Sequence, residues 1–197
     1  MSAFLFLRHP PVAAAGICYG RSEVPLDPDA PKAIEAACAA APRALPVITS
    51  PARRALVLAE ALAARDGAVP LVDPRLQELD FGTWEGRPWS AIDRRESDPW
   101  AEDPIHRAPP GGEAFHDLLA RVRAALAEAP PGALIVTHAG PIRAAHMLAG
   151  RADFRAAFAA PVPYATPIPI TLPAGALSNG DASSPTPPSE VPWPGSP

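Results

Sequence analysis

Apolar positions along this chain fall into two patterns. Short unbroken runs at residues 3–7, 45–49, 69–72 and 133–137 have the length of buried strands, and proline, glycine or charged residues bound them. Longer stretches repeat at helical spacing. Residues 30–41 are alanine-rich and stop before Pro42. A second helix is predicted after Ser50-Pro51, with Ser50 as N-cap and Pro51 in the first helical position, running to Gly67. Residues 113–128 place Phe115, Leu118, Leu119, Val122, Ala125 and Leu126 on one side of a third helix. Two more helices are expected at 140–149, closed by Gly150, and at 154–159. Residues 168–172 read as an edge strand, because prolines flank and interrupt them. Residues 73–111 are loop-rich and hold Trp84, Trp89 and Trp100. Beyond Pro173 no period survives. The expected division is therefore a domain over 1–172 and a disordered Pro/Ser-rich tail over 173–197.

Strands alternating with helices predict an α/β fold, a three-layer sandwich around a mostly parallel sheet. In such sheets ligands bind beyond the carboxyl ends of the strands. Three of the predicted strands end on chemically active residues. The first ends on Arg8-His9. The second ends on Ser50, with Arg53 and Arg54 just beyond. The strongest ends on Thr137-His138. A parallel sheet brings these ends to one rim, and two of the following helices point their positive N-terminal ends at it. Such a rim suits a dianion, and phosphate above all.

Composition narrows the class. With 197 residues and 48% hydrophobic content, the chain has enough apolar surface for a real core. A net charge of −4 argues against a broad basic face for nucleic acid. Local cation clusters remain open, and nearly all the cations are arginine, since Lys32 is the only lysine. Cys18 and Cys38 form no CxxC pair and read as free thiols in a reducing compartment. Arg8 and His9 interrupt the apolar N-terminus before it reaches signal-peptide length, and no window is long enough to span a bilayer. A cytoplasmic protein that meets neither membrane nor nucleic acid is expected. The five histidines have no metal-ligand spacing, so no metal and no cofactor are expected.

A neutral imidazole can attack phosphorus and carry the phosphoryl group covalently. Flanking arginines favour that neutral form and neutralise the phosphoryl oxygens. The departing oxygen needs a proton. The stretch LQELDFGTWEG offers Glu78, Asp80 and Glu85 for that task.

Five ordered blocks carry a family resemblance. LRHPPV resembles the LRHG signature of the histidine phosphatase superfamily, with its phosphoglycerate-mutase-like fold. CYGRSEVPL, SPARRALVLAEAL, LQELDFGTWEG and the pair GGEAFHDLLARVRAAL with LIVTHAGPIRAA resemble its later blocks, over residues 3 to 146. The wording CYGR and ELDFGTWEG is most similar to the α-ribazole phosphatase branch, which acts in cobalamin assembly. The resemblance implies His9 as the phosphorylated nucleophile, with Arg8 and Arg54 on the phosphoryl group. It implies His138 as the second phosphoryl-contacting histidine and Glu78 as proton donor. Arg21 and Ala139 are expected to contact the substrate, a small phosphorylated metabolite. Arg143 is expected to touch substrate or to form a structural salt bridge. Arg53 has no family counterpart.

The chain departs from the pattern at Pro10, where glycine is usual, and at Leu58 and Ala139. Pro10 removes an N–H and fixes φ beside the nucleophile. Three functions compete: a phosphomonoester hydrolase, a phosphoglycerate mutase-type isomerase and a non-catalytic phosphate-binding module. The short 87–111 segment leaves little chain to keep water from a phosphoenzyme, which favours hydrolysis.

Overall fold

The computed structural model describes residues 1–178. Its elements in chain order are β1 (Ser2–Arg8), α1 (Ala30–Ala40), β2 (Val47–Thr49), α2 (Arg53–Ala64), β3 (Leu71–Val72), α3 (Arg94–Glu102), α4 (Phe115–Glu128), β4 (Leu134–Thr137), α5 (Ala139–Leu148), α6 (Phe154–Ala159) and β5 (Ile168–Leu172). The five strands form one sheet in the order β3-β2-β4-β1-β5. Every neighbouring pair is parallel except β1 with β5. β5 is thus the edge strand that its prolines required.

Alternation along the strands builds two cores. On one face, Phe4 and Phe6 of β1 and Ile135 of β4 join a cluster with α4, α5 and α6. On the other face, Leu7, Leu134 and Val136 pack against Ala37 of α1 and Ala55, Leu58 and Leu62 of α2. The sheet lies between these helical layers, as the alternating pattern predicts. Leu58, a departure from the family's usual threonine, is fully buried and serves as core.

Two local readings change. Ser50 does not cap α2. The cap position is Ala52, and the Ser50 hydroxyl accepts from the Ala52 N–H at 3.3 Å while also meeting His138. The loop-rich 73–111 segment contains a helix, α3. Its sequence RRESDPWAE has no apolar period and holds Pro99. The Asp93 side chain, accepting from the Arg95 N–H, and burial of Trp100 give it a start and an anchor. Trp84 and Trp100 are core residues, with Phe81 and Trp89 packed on them edge-on or stacked.

After β5, Ala176 and Leu177 still pack against the larger core. The rest of the expected tail, 179–197 with Trp193, lies outside the described residues. Residues 179–197 are rich in proline and serine and show no apolar period. Deleting them is expected to leave both turnover and the thermal midpoint of unfolding unchanged. A lower midpoint in the shortened protein would mean that these residues belong to the fold.

Candidate active site

Strand register assembles the site. Arg8 on β1 pairs with Thr137 on β4, and Thr49 on β2 pairs with Val136. The next residues, His9, His138 and Ser50, therefore emerge side by side at the carboxyl edge. The His9 N–H donates to the Thr137 carbonyl at 2.8 Å and the Ser50 N–H to the Val136 carbonyl at 3.0 Å, extending the ladder one step into the site. The two imidazoles face each other with ring centroids 5.2 Å apart.

His9 is almost fully buried. Its Nδ1 lies 2.7 Å from the Pro10 carbonyl oxygen. A carbonyl can only accept, so Nδ1 carries the proton and Nε2 keeps its lone pair. Burial, aided by Arg54 and Arg8, lowers the His9 pKa to about 3, although the Pro10 hydrogen bond acts the other way. The imidazole is thus neutral at pH 7 and in the tautomer a nucleophile needs. Pro10, which departs from the usual glycine, still supplies the oxygen that fixes this tautomer. His138 is fully buried and is also held neutral, first by burial and then by His9, Arg54 and Arg8. Its Nε2 meets the Ser50 hydroxyl at 2.8 Å.

The arginines are braced by acceptors on distant loops. Arg8 donates from Nη1 to the Val162 carbonyl and from Nη2 to the Tyr164 hydroxyl, both at 3.0 Å. Its guanidinium stacks 3.8 Å from the Tyr164 ring centroid. Arg54 is buried and donates to the carbonyls of Ser22, at 2.9 Å, and Gly20. Tyr19 lies under Arg54, 5.4 Å from its guanidinium to the ring centroid, and close to Tyr164, which accepts from Arg8, so two tyrosines sit between the arginines. A guanidinium has five N–H donors. The bonds named here occupy two on each arginine. The Nε–H of both, with Nδ1 of His138, is buried without a partner among the described residues. These groups fit a phosphoryl group, which would supply the missing acceptors.

Glu78 reaches the same edge from the loop before α3. Its carboxylate accepts from the Leu79 N–H at 2.9 Å and from the Gly140 N–H, in the first turn of α5, at 3.1 Å to each oxygen. A Cβ on Gly140 would lie 2.1 Å from the Glu78 Oε1. Gly140→Ala is therefore expected to push the carboxylate aside and, if Glu78 is the proton donor that the resemblance implies, to lower turnover of an alkyl phosphate by roughly 10²-fold. Helix α5 should persist, since alanine suits a helix better than glycine. An unchanged rate would show that Glu78 works from another position.

The other acids are structural. Glu85 accepts from the N–H groups of Gly20, Arg21, Ser22 and Phe81 at 2.9–3.1 Å. Burial would raise its pKa, but these donors outweigh it and hold the carboxyl below the usual range. Asp80 caps the Gly82 N–H and pairs with Arg21 at 3.3 Å. Arg21, expected against substrate, has its guanidinium between Asp80 and Glu113. Arg53 is exposed, and among the described residues its backbone N–H is engaged by Glu23 while its side chain has no hydrogen bond or ion pair. Ala139 is buried at the N-terminus of α5, where its N–H has no intrahelical acceptor. Sequence reading missed Tyr19, Tyr164 and the contact of Ser50 with His138. Only the tyrosine in CYGR stood beside a motif residue.

Comparison with known proteins agrees with this geometry. A family model described as the histidine phosphatase superfamily (branch 1) matches residues 4–173. The chain is 39% identical over 85 residues to the glucosyl-3-phosphoglycerate phosphatase of Mycobacterium tuberculosis, covering 42% of this chain and 38% of that protein. It is 30% identical over 105 residues to a Hydrogenobacter thermophilus protein named as a phosphoserine phosphatase, covering 50% and 52%. The chain thus spans about half or less of the length of these curated relatives. Among solved structures, a Thermus thermophilus protein superposes with a TM-score of 0.68 at 25% identity, over 85% of this chain and 92% of that one. The native mycobacterial glucosyl-3-phosphoglycerate phosphatase superposes with a TM-score of 0.67 at 28% identity, over 76% and 80%.

Proposed function

The chain belongs to the histidine phosphatase superfamily, and on that premise we propose that it is a metal-independent phosphomonoester hydrolase working through phosphohistidine at His9. The observation that carries this reading is the His9 ring. It is neutral, its Nδ1 proton is tied to the Pro10 carbonyl, and two arginines with unpartnered N–H groups flank it.

The chemistry follows from that placement. His9 Nε2 attacks phosphorus, the P–N bond forms, and the P–O bond to the leaving group breaks. Arg8, Arg54 and His138 donate to the phosphoryl oxygens, on which negative charge is concentrated. Glu78 gives its proton to the departing alkoxide. It then takes one from the water that attacks the phosphohistidine, which releases inorganic phosphate and restores the neutral imidazole.

The test is phosphate release by the purified protein from a panel of monoesters, with a rapid acid or base quench on the way. The panel includes phosphoserine, glucosyl-3-phosphoglycerate and α-ribazole 5′-phosphate, the last for the CYGR and ELDFGTWEG resemblance. Base-stable, acid-labile protein-bound phosphate and free inorganic phosphate are expected. Conversion of 3-phosphoglycerate to 2-phosphoglycerate without release would favour the mutase. Tight phosphate binding without turnover would favour a binding module.

Glu78→Gln gives a sharper check on the proton donor. An aryl phosphate leaves readily without a proton, whereas an alkyl phosphate does not. The variant is expected to lose roughly 10²–10⁴-fold on the alkyl ester and far less on the aryl ester. Equal losses on both would remove Glu78 from that role.

A further inference from the structure

Arg143 is a cation that the reaction above does not use. It lies three residues after Gly140 on α5, so both share one face of the helix. Gly140 is the residue whose N–H holds the Glu78 carboxylate. Arg143 therefore stands one turn beyond the proton donor. Burial lowers its pKa, with Glu78 acting to raise it and Arg8 to lower it further, which places the guanidinium within electrostatic reach of both. The group is laid over the Phe158 ring of α6, 4.8 Å from the centroid. Its Nε–H is buried with no hydrogen-bond partner among the described residues. Arg8, Arg54 and Arg121 each rest on carbonyl oxygens, a hydroxyl or a carboxylate. The Arg143 side chain has neither a hydrogen bond nor an ion pair among the described residues. An arginine half-desolvated on an aromatic face and left unpaired is set to receive an anion.

In the hydrolase reading Glu78 stands beside the leaving oxygen, and Arg143 shares the α5 face that carries the Gly140 contact to Glu78, which argues for the leaving-group side rather than the phosphoryl side. A planar guanidinium fork matches a carboxylate. We infer that Arg143 is a specificity-determining residue that pairs with a carboxylate on the leaving group, so that the preferred substrates are phosphate monoesters of hydroxy acids. This rests on the hydrolase reading above and adds the class of its substrate.

A matched pair of substrates tests it. 3-Phosphoglycerate and glycerol 3-phosphate differ only in a carboxylate against a hydroxymethyl group. Phosphate release by the wild type is expected to favour 3-phosphoglycerate by about tenfold or more in kcat/KM, the scale of one charge-assisted hydrogen bond. Arg143→Gln should bring the ratio close to one, mainly by raising KM for 3-phosphoglycerate, and Arg143→Lys should restore part of it. A wild type with no preference overturns the inference without any variant. So does an Arg143→Gln protein that loses the same factor on both substrates. Release from neither substrate nor from p-nitrophenyl phosphate would instead sink the hydrolase reading, and this inference with it.

Discussion

Replacing His9 with alanine is expected to abolish turnover, by roughly 10⁴-fold or more, the scale seen when a nucleophile is removed. No other group in the described site can take its place. His138 is close, but its Nε2 is engaged with Ser50, and the loops that brace the arginines meet beside His9. The fold should survive, because the ring contributes one side-chain hydrogen bond, to Pro10, worth about 1 kcal/mol. The quench experiment should show no acid-labile phosphate on the variant. Wild-type turnover would place the nucleophile elsewhere. The same protein reports on stability against pH. In the unfolded chain His9 takes a proton near pH 6.5, whereas in the fold it does so only near pH 3. Between these values the unfolded state binds more protons, so stability falls as the pH falls, and above 6.5 this residue adds no pH dependence. His138, also held neutral, acts with the same sign. Urea titrations at about pH 7 and about pH 4.5 should show a smaller loss for His9→Ala than for the wild type.

Arg54→Lys is expected to lose roughly 10²–10³-fold in kcat/KM, as for removal of a donor to developing charge. Lysine keeps the charge but cannot reach the Gly20 and Ser22 carbonyls and the phosphoryl oxygens together. Leaving buried carbonyls unmet should also cost about 1–3 kcal/mol of stability. A crystal soaked with sulfate should place the anion between Arg8, Arg54, His9 and His138 in the wild type and displace it in the variant. Unchanged kcat/KM with a lowered thermal midpoint would make Arg54 a brace for the loop and nothing more.

The parts of this fold that were legible in the sequence share a physical cause. β4 is buried at every position and β1 buries Phe4 and Phe6 on one face and Leu7 on the other, so both read as continuous apolar runs. Helix α6 and strand β5 fall at the bounds their patterns set, Phe154–Ala159 and Ile168–Leu172. Helix α3 was not legible because few of its contacts are apolar and its anchor is a single tryptophan. Within the site, the residues at strand ends could be placed because parallel register follows from the element order. The tyrosine link could not. Arg8 and Tyr164 are 156 residues apart, and no local period encodes that contact. Ser50 misled for a related reason. A serine before a proline and a helix has the pattern of a cap, and only the neighbouring strand end, with His138, gives it another partner.

The antiparallel pairing of β5 with β1 has a practical consequence. Ser2 lies opposite Leu172, so the chain enters and leaves the sheet at adjacent points. Both points are at the opposite end of β1 from Arg8, about 20 Å away for a strand of this length. An affinity tag, a surface tether or a fused enzyme joined just before Ser2 would start from the floor of the molecule, with the whole sheet between it and the rim that carries His9 and His138.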